Sequence, residues 1–219
     1  MSRGLLIFGI LAATGVASAR PQRHQADNMP RGFQWPPSRV MIEAGVRCEA
    51  KLDELGIAWK SAKREGHVVD AITLVDGTVG GIEYVPVYDR QLPAMDCQLA
   101  LALATFAPKL YELGVRQVRV GSIYRFTKVR VGGKTKDMLS RHALGLAMDV
   151  VSFVDDAGRE AVVGRDYKAG DQLLISIEHA IDDTGAFRTV LTPANDPISH
   201  ADHFHIEANP DYTDDRPST

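Results

Sequence analysis

The chain lacks any marked excess of charge. Lys and Arg number 25 against 28 Asp and Glu, a net charge of −3 in 219 residues. A mildly acidic chain has no electrostatic footprint for a phosphate backbone, so nucleic acid is excluded as an expected partner. There are only two cysteines, and Cys48 and Cys97 are too far apart to form a zinc knuckle. There is no internal repeat and no low-complexity tract. With 45% hydrophobic and 24% charged residues, the composition also rules out wholesale disorder, collagen and a polytopic membrane protein. What remains is a soluble chain long enough for one domain with a sizeable core and no need of many staples.

The two ends read differently from the middle. Arg3 gives a positive start, residues 4–16 are apolar, and Ala17-Ser18-Ala19 is a small-residue cleavage site. That is the layout of a secretory signal peptide over residues 1–19. The apolar run is short against the ~20 residues that span a bilayer, and no cysteine near the cut marks a lipoprotein. The expectation is an exported protein, periplasmic or extracellular, with no stable membrane insertion after cleavage. Export favours a Cys48–Cys97 disulfide, with two buried free thiols as the alternative. Residues 20–38 hold Pro21, Pro30, Pro36 and Pro37 among polar residues. They read as an extended arm rather than a packed element, with residues 20–44 as a linker, 45–209 as the domain and 210–219 as a polar tail.

Within the domain, residues 48–55 suggest a short helix stopped by Gly56. Residues 68–75 and 79–87 are β-branched runs with an Asp76-Gly77 turn between them. Leu99, Leu103, Phe106 and Leu110 recur at helical spacing inside 94–113, where Pro108 predicts a kink or a break. Residues 115–124 and 147–153 read as strands, 171–183 as a helix closed by Gly185, and 187–191 and 203–208 as the last strands. The basic stretch 128–136, with Gly132-Gly133, reads as an exposed excursion. Helices and strands interleave without a βαβ rhythm, so the class is α+β: a small, mostly antiparallel sheet with flanking helices.

Four of the seven histidines fall in two tight clusters, Ser140-Arg141-His142-Ala143-Leu144-Gly145-Leu146-Ala147-Met148-Asp149 and His200-Ala201-Asp202-His203-Phe204-His205. On a strand, side chains alternate faces. His203 and His205 then point one way and Phe204 into the core, while Ala147 and Asp149 share the face opposite Met148 and Val150. If these strands are neighbours, His142, Asp149 and one of His203 and His205 can meet. Two imidazole nitrogens and one carboxylate oxygen leave a fourth tetrahedral position open, as in a catalytic zinc site. The remaining histidine can then act as general base. Taken singly, a His-x-His pair is often only exposed or hydrogen-bonded, and a lone strand Asp can be an ion pair. Four buried ionisable groups together would cost several kcal/mol without a metal (on the order of a few per group). His24, His67 and His179 belong to no cluster and read as bystanders.

At these residues the chain resembles the LAS metallopeptidases (lysostaphin, D-Ala-D-Ala peptidases, Hedgehog-like domains), through the Ser-x-His-x-x-Gly-x-Ala-x-Asp and His-x-His signatures. Within that group it most resembles the bacterial extensin-like C-terminal family, from about Cys48 to Ile206. The resemblance implies a LAS/Hedgehog-like fold, Zn2+ on His142, Asp149 and His205, and His203 as the catalytic histidine. His200 matches a His-x-x-His-x-His layout and assists. Arg125, after Gly121-Ser122-Ile123-Tyr124, falls where related peptidases carry an arginine that binds substrate and transition state. Ser140 supports the loop and offers a substrate contact. The implied substrate is a peptidoglycan peptide. Two departures stand out: no cysteine lies close to Arg125, and residues 127–136 are unusually basic. Two other readings compete with a zinc peptidase: a zinc-bearing binding module without turnover, and a non-haem iron oxygenase, which also uses two histidines and a carboxylate.

Overall fold

Ser38 opens the first helix. Its hydroxyl accepts from the Met41 amide at 3.2 Å, and α1 then runs Arg39–Glu54. A computed structural model describes residues 28–131 and 134–213 of the protein. The leader over 1–19, residues 20–27 of the arm with His24, Gly132-Gly133 and the end of the tail lie outside the described residues. The strands that follow are β1 (Trp59–Ser61), β2 (Ala71–Leu74), β3 (Thr78–Val79), β4 (Ile82–Pro86) and β5 (Met95–Asp96). Next come α2 (Cys97–Glu112), β6 (Val115–Ser122), β7 (Lys128–Val131) and β8 (Lys134–Leu139). A 3-10 turn (Arg141–Leu144) leads into β9 (Ala147–Asp155), β10 (Glu160–Val162), α3 (Val163–Asp166), α4 (Gln172–Thr184), β11 (Thr189–Leu191) and β12 (Phe204–Glu207).

The class is α+β. A seven-stranded sheet has the order β11-β12-β9-β6-β4-β3, with β10 also paired to β9; β1-β2-β5 and β7-β8 form two smaller sheets. In the large sheet β4 and β6 run parallel and the other pairs antiparallel. One face of it carries Val118, Val120, Met148, Val150, Phe153, Phe204 and Ile206 against Leu103, Phe106 and Leu110 of α2 and Ile181 of α4. Each such side chain contributes about 1.5–3 kcal/mol by leaving water. The other face carries Asp149 and His205. Cys48 of α1 and Cys97 of α2 form a buried disulfide, Cα–Cα 6.1 Å, across a sequence separation of 49. Closing a loop of that length stabilises the fold by about 4 kcal/mol in the chain-entropy picture.

Several local readings need correcting. The helix expected at 48–55 starts at Arg39, because Pro36-Pro37 is followed by the Ser38 cap and Met41 and Ala44 are buried. The arm is not unpacked where it is described. Arg141 is fully buried; its guanidinium donates to the Asn28 carbonyl, to the Ala208 carbonyl at 3.0 Å and to Asn209 Oδ1 at 3.3 Å. It thereby ties the residues before α1 to those after β12. Tyr212, in the stretch read as polar tail, is buried and packs tilted against Phe33, ring centroids 6.5 Å apart. Asp76-Gly77 does not close a hairpin between β2 and the next strand, since β2 and β3 belong to different sheets; the hairpin is β3–β4. Helix α2 continues unbroken through Pro108, which lies on its exposed side where water can satisfy the carbonyl left unpaired. The basic excursion is the exposed hairpin β7–β8. Among the described residues no helix is long and apolar enough to cross a membrane.

Asp96 locks the start of α2 to its surroundings. Its Oδ1 accepts from the Gln98 amide at 3.0 Å, and its Oδ2 from the Val69 and Asp70 amides at 3.1 and 3.2 Å. The side chain is buried, so an Asp96→Ala protein leaves three amides without a partner and the helix without its cap. A loss of about 3 kcal/mol, roughly 10 °C in Tm, is expected in thermal unfolding.

Candidate metal centre

The centre is assembled by three adjacent strands and one turn. In β9, Asp149 stands directly opposite His205 of β12 on one side and Ser122 of β6 on the other. Directly opposed residues on one sheet face hold their Cβ atoms about 5 Å apart, so Asp149 and His205 are placed by backbone pairing alone. The β6–β9 register shifts between Arg119 and Val120 and again between Val120 and Ser122. These irregularities leave Gly121 and Val151 as extra residues, and bulges of this kind re-aim side chains. Gly121 is closely packed: a Cβ there would stand 3.1 Å from Val151 Cγ1, so that side chain would have to shift, and 3.6 Å from the Asp149 carbonyl.

His142 arrives from the 3-10 turn. Ser140 caps that turn, its hydroxyl accepting from the His142 amide at 3.3 Å, and Gly145 ends it at φ 66. Gly145 also lies against the start of α2, where an added Cβ would be 2.7 Å from the Asp96 nitrogen. Only glycine meets both demands. Ser140 therefore supports the loop; the substrate contact read for it is a separate matter.

Three side-chain atoms converge. His142 Nε2 is 3.1 Å from Asp149 Oδ1 and 3.2 Å from His205 Nδ1, and His205 Nδ1 is 2.9 Å from Asp149 Oδ1. All three residues are buried. The opposite ring nitrogens fix the tautomers. His142 Nδ1–H donates to the Ile123 carbonyl at 2.6 Å, and a carbonyl can only accept. His205 Nε2–H donates to Glu207 Oε1 at 2.9 Å. Neutral imidazoles so held turn two lone pairs toward a carboxylate oxygen. Nothing in that trio supplies a donor, so a shared proton or a cation must sit among them. Ligands about 2 Å from a tetrahedral ion would be about 3.3 Å apart, close to the separations found. The buried His142, Asp149 and His205 group could hold a metal ion, and the donor set fits one. Ile123 and Glu207 supply the outer hydrogen bonds that orient metal-binding histidines.

The electrostatics follow from burial and contact. Burial alone would raise the Asp149 carboxyl, but its contacts with His142 and His205 hold it far below the usual carboxylate range. Burial pushes the His142 imidazolium down. Burial also opposes charge on His205, yet Asp149 and Glu207 outweigh it and bring its pKa up to about 9. Glu207 is held down to about 2, its burial outweighed by His205 and then Arg188. The sign for metal binding is then fixed. Between pH 7 and about 9 the metal-free centre carries a proton on His205 that must leave when an ion enters. Affinity for a divalent metal ion is expected to rise close to tenfold per pH unit over that window, with about one proton released per ion. Calorimetric titrations in two buffers of different ionisation enthalpy at pH 7 and 8 measure it.

The remaining candidates lie around this point. His203 sits just before β12; its Nε2 is 3.6 Å from Asp149 Oδ1, while its Nδ1–H donates to Asp202 Oδ1 at 2.8 Å. His200 Nδ1–H donates to Asp196 Oδ2 at 2.9 Å, and its ring lies 4.9 Å from that of His203 and 5.4 Å from that of His205. Arg125 donates to Asp149 Oδ2 at 3.1 Å with its side chain 51% exposed, so it is anchored at one end and open to solvent. Sequence reasoning missed Ser122, whose hydroxyl donates to Asp149 Oδ2 at 2.9 Å, and Glu207. Glu207 could have been found, since it follows His205 by two in a strand and must share its face.

One family model, described as extensin-like protein C-terminus, matches residues 46–214. No curated protein and no solved structure matches the chain.

Proposed function

Because the chain belongs to the family of extensin-like protein C-termini, we propose that it is an exported zinc-dependent peptidase of the LAS type acting on peptidoglycan peptides. One observation carries the reading: His142 Nε2, His205 Nδ1 and Asp149 Oδ1 meet at one point, and His203 Nε2 is directed at the same carboxylate oxygen. Zinc held by His142, Asp149 and His205 would polarise the scissile carbonyl and lower the pKa of an attacking water toward neutrality. His203 takes the proton on Nε2, its tautomer and orientation fixed by Asp202. His200 packs against it and restrains the ring. Arg125 offers its outward donors to a peptide carboxylate or to the oxyanion that develops at the carbonyl. Ser122 and Arg125 together satisfy Asp149 Oδ2, leaving Oδ1 for the shared point.

The test is zinc quantification on the purified protein alongside a muropeptide digest read by mass spectrometry, with and without chelator. Stoichiometric zinc and chelator-sensitive cleavage are expected. Zinc without cleavage would make the chain a binding module, and iron in place of zinc would favour an oxygenase.

A further inference from the structure

An open cleft of about 340 Å³ lies on the large sheet beside the metal centre. Pro86 at the end of β4 and Val87 just after it, Arg119 of β6, Val151 and Ser152 of β9, and Glu160 and Val162 of β10 line it. Val151 belongs to both places. It follows Asp149 by two residues, about 7 Å along a strand, and both flank Gly121, whose added Cβ would be 3.1 Å from Val151 Cγ1 and 3.8 Å from Asp149 Cβ.

The walls are apolar, but two opposite charges face each other across the cleft. Arg119 Nε is 3.9 Å from Glu160 Oε1, with the side chains 38% and 46% exposed. That is too far for a hydrogen bond, so each group keeps capacity for a ligand. Glu160 is nevertheless held in place, since the hydroxyl of buried Ser152 donates to its Oε1 at 2.5 Å. An exposed ion pair alone has little consequence. This one has a carboxylate fixed from beneath, a loosely held guanidinium and valine walls, and it lies over the part of β9 that follows the centre, with Arg119 opposite Ser152 and Glu160 opposite Val154.

Resting on the peptidase reading, we propose that the cleft is the subsite for a substrate residue whose side chain carries both an ammonium and a carboxylate. The carboxylate accepts from the Arg119 guanidinium, the ammonium donates to Glu160, and the methylene stem lies on Val87 and Val151. A residue with a single charged group fills half of the site and leaves the other partner facing solvent.

The test uses the full chain with its metal and three synthetic tetrapeptides identical but for one residue: 2,6-diaminopimelate, its side-chain amide, or lysine. Binding is followed by NMR titration at low temperature, and cleavage by mass spectrometry on the same samples. The diaminopimelate peptide is expected to bind about tenfold tighter than the other two. Arg119→Gln should remove that advantage and leave the amide and lysine peptides unchanged, whereas Glu160→Gln should weaken all three. Equal affinity for the three peptides, no binding of any, or an Arg119→Gln effect shared equally by all three would overturn the proposal. The peptide series varies the ligand and not the fold, so a poorly folded variant cannot mimic the result. Selective binding without cleavage would instead count against the peptidase reading alone.

Discussion

On the proposed zinc-peptidase reading, replacing Asp149 with alanine is expected to strip the protein of its metal and, with it, of all metal-dependent cleavage. The carboxylate is the hub of the centre: Oδ1 faces His142 and His205, and Oδ2 accepts from Ser122 and Arg125. Structural zinc sites yield about 10–16 kcal/mol from four donors, so one donor is worth roughly 3 kcal/mol, and zinc affinity should fall at least ~10²-fold. The loss should exceed that of Glu207→Gln, which touches only the outer hydrogen bond to His205 and is expected to cost ~10- to 100-fold in affinity. Asp149→Asn separates charge from shape, since it keeps the volume and offers one oxygen with no net charge. Zinc per chain after dialysis, with thermal unfolding beside it, reads both effects. An Asp149→Ala protein that retains stoichiometric zinc would place the ion elsewhere.

The parts of this centre that sequence could reveal are those set by alternation within one strand. Asp149 shares a face with Ala147 and opposes Met148 and Val150, and Met148 and Val150 belong to the main core cluster while Ala147 does not. His205 and the core residue Phe204 obey the same rule. The pairing of β9 with β12 brings His205 opposite Asp149, and no local pattern fixes which strands become neighbours. The bulge at Val151 is equally silent in its own strand, whereas Gly121 inside residues 115–124 is a local sign of the irregularity in the other. The arm shows the converse failure. Its prolines suggested an unpacked linker, but Asn28 is held by Arg141 and Phe33 packs near Tyr212. Those partners lie far away in sequence, so composition over a short window cannot see them. Helix α1 was legible in part, since Pro36-Pro37-Ser38 is a start signal, and the apolar positions Met41 and Ala44 lie before the point where a composition-based boundary falls.

The second large effect separates holding the ion from using it. His203→Ala is expected to keep zinc at full stoichiometry and to lose at least ~10²-fold in kcat, the usual scale for a general base. His203 Nε2 is 3.6 Å from Asp149 Oδ1, farther than the donor atoms of His142 and His205, and its other nitrogen is held by Asp202, whose side chain is 80% exposed. It is also closer to solvent, with 18% of its side chain exposed against 1% for His142 and 7% for His205. Those differences suit a group that exchanges protons with water better than one buried as a ligand. His200→Ala removes a ring packed beside His203 without removing the proton acceptor, so its loss in rate should be clearly smaller. Full cleavage of muropeptides by the His203→Ala protein would end the assignment of His203 as base. A His203→Ala protein that loses its zinc would move His203 into the ligand set and leave His200 as the candidate base.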